Sequence, residues 1–105
     1  LLVDREALRA VGGFDEELFY LMEYYDLSDR LRLAGFAICS AEDALVRHMG
    51  GTAGLSFRAD VYPARRAYYH SRNRCRLLLK NHQWRSLLLA LPALLLYELV
   101  WLGFT

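Results

Sequence analysis

The stretch GGFDEELFYLMEYYDLSDRLRLAGF, residues 12–36, decides how the rest of the chain is read. It opens on a glycine pair, followed by Phe14, Asp15 and Glu16. It then runs through the aromatic and apolar residues 18–22 into three spaced acids, Glu23, Asp26 and Asp29. From Asp26 onward Leu27, Leu31 and Ala34 recur at i, i+4 and i+7, one face of a helix over residues 26–34. Gly35 stands where a left-handed C′ residue stops such a helix. Acids around a helix start are favoured by the dipole and the free N–H groups, so capping accounts for them without any chemistry. Asp26 and Arg30 are also four apart, the spacing of a helical ion pair worth about 0.3–0.5 kcal/mol at a surface.

Upstream, Leu1, Leu2 and Val3 read as a short buried strand. Asp4 is a good N-cap for a helix over residues 5–11, with Ala7, Leu8 and Val11 on one face and Gly12-Gly13 as its stop. Downstream, residues 36–40 and 44–48 read as two short strands separated by Ala41-Glu42-Asp43. Residues 49–56 hold three glycines and read as a loop.

Pro63 suits the first turn of a long helix over residues 64–81. Tyr68, Cys75, Leu78 and Leu79 mark its apolar side, and bases crowd the remainder. Residues 86–105 are the most apolar run, with Glu98 as the lone charge and Pro92 inside it. The run is long enough for a bilayer core of about 30 Å. Glu98 and Pro92 count against a simple span, so an in-plane or re-entrant helix is an equal expectation.

Composition closes off several function classes. The chain has 105 residues, 55% of them hydrophobic and 24% charged, which excludes a disordered or low-complexity protein. Two cysteines, Cys39 and Cys75, make neither a disulfide-stapled module nor a CxxC zinc ribbon. The net charge of +1 argues against nucleic acid as a partner. That small number hides a polarity. Residues 1–60 carry eleven acids against six arginines, and residues 61–105 carry seven bases against Glu98 alone. The first segment suits sugar or metal chemistry; the second suits an anionic membrane surface. The sequence has no initiator methionine and no signal-peptide pattern, and it reads as a fragment of a longer protein.

Taken singly, the candidate functional groups are ordinary. Gly12-Gly13 could be only a helix stop, or could let backbone approach a ligand closely. His48, at a strand end before Gly50-Gly51, could be structural or a metal ligand. Taken in order, residues 12–16, Phe19 to Met22, Glu23, Asp26-Leu27-Ser28, Arg30-Leu31-Arg32, Gly35-Phe36, Ala44 to His48 and Gly50-Gly51 resemble the acceptor-side half of family two inverting glycosyltransferases. The resemblance is to the rhamnosyltransferase-like branch that builds bacterial surface polysaccharides. Residues 68–74 and 77–81 are similar to the membrane-facing extension of the same enzymes.

The resemblance implies an α/β fragment: the C-terminal part of a GT-A, Rossmann-like domain over residues 1–60, then membrane-associated helices over 61–105. It implies inverting transfer of a hexosyl or rhamnosyl group from a nucleotide sugar to a lipid-linked or polysaccharide acceptor at the cytoplasmic face of the plasma membrane. It places Glu23 and Asp26 in catalysis, and Gly12, Gly13, Phe14, Asp15 and Arg30 on the acceptor side. His48 becomes a ligand of a divalent metal, magnesium or manganese. Tyr24 occupies the position where the family carries its catalytic aspartate. Phenols, with a pKa of about 10 in water, are poor bases near neutrality. Either a neighbouring acid serves as base, or the chain is a non-catalytic, membrane-associated relic of such an enzyme. The nucleotide-binding half is not matched by these residues, so the fragment alone is not expected to be active.

Overall fold

A computed structural model describes residues 1–48 and 63–104. The chain divides into two compact units, Leu1–Met49 and Gly50–Thr105. In the first unit the regular elements are helix α1 (Arg5–Ala10), a one-turn 3-10 helix (Glu16–Leu18) and helix α2 (Glu23–Leu33).

Local chemistry accounts for both ends of α1. The Asp4 carboxylate accepts from the backbone N–H groups of Glu6 and Ala7, each at 2.9 Å. At the other end Gly13 N–H donates to the Leu8 carbonyl at 3.0 Å and Gly12 N–H to that of Arg9 at 3.1 Å, a Schellman stop. α2 ends the same way, with Phe36 bonding back to Leu31 and Gly35 to Arg32, both at 3.0 Å. Gly35 has φ +90°, a region that costs a side-chain-bearing residue about 1–2 kcal/mol. Ala7, Leu27 and Leu31 form the core between the two helices, with Val3, Leu8 and Val11 packed at its edge.

The α/β, Rossmann-like expectation is overturned. Among the described residues there is no strand, and the regular structure is helical. Leu1 and Leu2 lie exposed, and residues 36–48 are exposed and irregular. The physical reason is pairing. A strand is held by bonds to a neighbour, and an isolated two-stranded hairpin is marginal in water. The link between the two expected strands does form a turn, with Ala44 N–H donating to the Ala41 carbonyl at 3.2 Å. Ala41-Glu42-Asp43 has no glycine for the left-handed position that a tight three-residue hairpin needs, so the turn does not zip flanking strands together. The expected loop over residues 49–56 lies outside the described residues.

The second unit contains α3 (Ala64–Asn81) and α4 (Trp84–Phe104), joined by His82 and Gln83. α3 spans the expected residues, with Pro63 at its N-cap. Its buried residues differ from expectation: they are Asn73 and Leu77, while Tyr68, Cys75 and Leu79 are exposed. α4 is one 21-residue helix that runs through Pro92, and none of its residues is buried. Its half-buried positions, Leu87, Leu94, Glu98 and Trp101, fall on one face.

Two kinds of contact tie α4 to α3. Arg74 donates through Nε, at 3.1 Å, and through Nη2 to the same Glu98 oxygen, Oε1. Its guanidinium also lies 4.5 Å from the centre of the Tyr97 ring. One turn earlier on α3, the His70 ring meets the Trp101 ring edge-on at 4.8 Å. Residues rising along α3 thus pair with residues falling along α4, and the two helices form an antiparallel hairpin.

Candidate active site

The first turn of α2 is entered through strained backbone. Asp15 caps the 3-10 turn by accepting from Glu17 N–H at 3.1 Å, and Leu18 is fully enclosed beneath it. Phe19, Leu21 and Met22 then take φ of 59°, 68° and 67°. Non-glycine residues in this region cost about 1–3 kcal/mol each, and such strain clusters at functional sites. Its effect here is to start α2 at Glu23, three residues before the expected start at Asp26. Met22 provides no side-chain cap, so Glu23 and Asp26 lie in the first turn and do not cap it.

The acids of this turn have different surroundings. Asp26 is 1% exposed, and its Oδ2 accepts from Arg30 Nε at 2.8 Å. Arg30 Nη2 lies 2.7 Å from the same oxygen as an ion-pair contact. Arg30 Nη1 reaches the Val11 carbonyl at 2.6 Å, across nineteen positions of sequence. The helical pair expected at i, i+4 is therefore present, but as a partly buried clamp. It holds the α1 stop, just before Gly12-Gly13, against α2. Arg30 is thereby occupied in structure, where the resemblance had placed it on the acceptor. Glu23 is half-buried instead, and its Oε2 is enclosed with no hydrogen-bond partner.

Aromatic contact completes the cluster. Tyr24 is about half exposed, and its ring meets Phe14 edge-on at 5.8 Å. Gly12, Gly13, Phe14, Glu23, Tyr24, Asp26 and Arg30 are thus brought together by the clamp and the ring pair. The clamp to the Val11 carbonyl and the strained entry could not be found by reading spacing along the chain.

His48 lies exposed at the end of the described segment. Among the described residues no group of three or more His, Cys, Asp or Glu side chains is arranged to hold a metal ion. Gly50 and Gly51 lie outside the described residues.

No family profile and no solved structure matches the chain. A 48-residue stretch is 50% identical to an N-acetylglucosaminyl-diphospho-decaprenol L-rhamnosyltransferase of Mycobacterium tuberculosis, in strain CDC 1551 / Oshkosh and equally in strain ATCC 25618 / H37Rv. The match takes in 46% of this chain and 16% of each relative. The chain thus spans about a sixth of the length of the curated relatives it matches. That stretch is similar to part of a glycosyltransferase, which is the class of chemistry the site has to be judged against.

Proposed function

We propose that this chain is the acceptor-side part of an inverting glycosyltransferase, with Glu23 as its general base. The donor is a nucleotide sugar, and the acceptor is a lipid-linked or polysaccharide glycan. The identity to a rhamnosyltransferase supports the reaction class, and one observation carries the assignment of the base. Asp26 is closed off and paired with Arg30, whereas Glu23 is only half-buried and its Oε2 carries no hydrogen bond. Glu23 removes the proton from an acceptor hydroxyl. The freed oxygen attacks the anomeric carbon from the face opposite the nucleoside diphosphate, which departs with the bonding pair, so the configuration inverts. The Phe14–Tyr24 ring pair offers an aromatic surface to an acceptor sugar, and the clamp through Arg30 keeps the glycine turn beside it.

Helix α4 is long and apolar enough to cross a membrane by length and composition. We place the chain at the cytoplasmic face of the plasma membrane, because basic segments stay on that side and nucleotide sugars are made there.

The test is transfer by the full-length protein. Glu23→Gln should lower turnover by at least about 10²-fold, the scale for losing a general base. Tyr24→Asp, which returns an acid to the usual position, should raise it. Parent-level transfer by Glu23→Gln would remove Glu23 as base. No transfer by any form, including Tyr24→Asp, would favour the non-catalytic reading.

A further inference from the structure

The apolar helix leaves most of its surface uncovered, and the hairpin limits what can cover it. α4 turns one face to α3, while Leu88, Leu89, Leu95, Leu96, Leu99 and Phe104 on its other faces are all more than half exposed. A helix apolar on all sides belongs in a protein core or among lipid chains. At about 1.5 Å per residue, 21 residues reach across a bilayer core. Length alone therefore allows a span.

The contacts to α3 argue otherwise. Glu98 is hydrogen-bonded to Arg74, and the Trp101 ring meets that of His70 edge-on, so the last third of α4 runs beside the first two-thirds of α3. Were α4 to cross, α3 would be drawn back through the same slab. Seven bases lie between Arg65 and Arg85, with no acid among them. Arginine and lysine are costly at mid-bilayer, and the one acid of the hairpin, Glu98, is already matched to Arg74. The arrangement fits a membrane surface much better. Arg65 and Arg72 each lie 5.9 Å from the centre of the Tyr69 ring, which forms a basic and aromatic ridge on α3. Such a ridge complements phosphate headgroups, while the exposed side of α4 suits the acyl chains just below them.

We infer that α3 and α4 form an in-plane hairpin that docks on an anionic bilayer surface, and that α4 does not cross it. The occupant of the apolar face is lipid. The charge balance selects it, because the same hairpin carries both the apolar face and the unbalanced bases. The inference rests on the membrane placement made above but not on the sugar chemistry, so vesicle binding and transfer can fail separately.

The experiment uses the full-length protein with Cys39 and Cys75 replaced by serine. A single cysteine is introduced at Ser86 or at Gly103, near the two ends of α4. Both positions are exposed, and a Cβ at Gly103 meets nothing within 4 Å. Sealed vesicles of phosphatidylglycerol and phosphatidylcholine are added, followed by a membrane-impermeant maleimide. Both cysteines should label from the outside, to within twofold of each other. Binding should be at least tenfold stronger than to pure phosphatidylcholine. Labelling of only one end would show that α4 spans and would overturn the inference. Equal, weak binding to both vesicle types, with a concentration-dependent rise in mass, would overturn it in favour of a second protein copy. Trp84→Phe protein, which carries no introduced cysteine, provides a second reading. Its Trp101 should be quenched by lipids brominated near the headgroup and not by those brominated at the chain end. The opposite pattern would again overturn the inference.

Discussion

Helices α2 and α4 invert the usual link between hydropathy and burial. α2 is rich in charge, yet it supplies Leu27, Leu31 and even Asp26 to the interior of its unit. α4 is almost wholly apolar, yet none of its residues is buried. In each unit an arginine paired with a carboxylate helps tie the helix to its neighbour. In the first unit the pair is within α2 and reaches out to α1 through a carbonyl. In the second it joins α3 to α4 directly. Burial therefore follows from which surfaces meet, and hydropathy states only which surfaces need a partner.

The comparison can be broken most forcefully at Asp26. Asp26→Ala leaves the Arg30 guanidinium partly buried without its carboxylate, and removing one partner of a buried pair costs about 3–5 kcal/mol. Urea unfolding of the full-length protein should show a loss near the low end of that range, since Arg30 retains the Val11 carbonyl. A loss under about 1 kcal/mol would mean the clamp is no stronger than a surface pair.

The pair of the second unit is more exposed, with side-chain accessibilities of 13% for Arg74 and 32% for Glu98. Glu98→Gln should cost about 1 kcal/mol and speed amide exchange in α3 near Arg74, by weakening a charge-assisted bond. An unchanged exchange pattern would show that ring contacts alone hold the hairpin.

Gly35→Ala sharpens the first side of the comparison. Nothing lies within 4 Å of a Cβ there, so any loss comes from the left-handed backbone alone. About 1 kcal/mol is expected, read as a shift in the unfolding midpoint.

The smallest effect concerns pH. Burial, and then the charges of Arg74 and Arg66, lower the pKa of His70 from its ordinary 6.5, with Glu98 opposing them weakly. The folded hairpin thus takes up this proton less readily than the unfolded chain. Its contribution is complete above about pH 6.5 and is lost as pH falls from there through the lowered value. In Trp84→Phe protein, quenching of Trp101 by protonated His70 should have its midpoint below 6.5. A midpoint above 6.5 would show that Glu98 dominates His70.

Much of the helical framework could be read along the chain. Asp4, Gly12-Gly13, Gly35 and Pro63 act within a turn of their own position, so α1, the end of α2 and the start of α3 follow from local chemistry. The length and uniform apolarity of α4 are composition, and they too need no tertiary knowledge. The expected strands over residues 1–3, 36–40 and 44–48 failed because strand formation depends on a neighbour, which β-leaning residues do not supply. The early start of α2 failed to show because left-handed φ at Leu21 and Met22 contradicts their propensity. The different surroundings of Glu23 and Asp26 were equally closed to sequence, since two carboxylates in one helical turn look alike until Arg30 closes on one of them. Caps, stops and apolar length are short-range quantities that a few neighbouring residues settle. Which acid Arg30 closes on and which apolar face stays bare depend on side chains that meet across the fold, and only the folded chain brings those together.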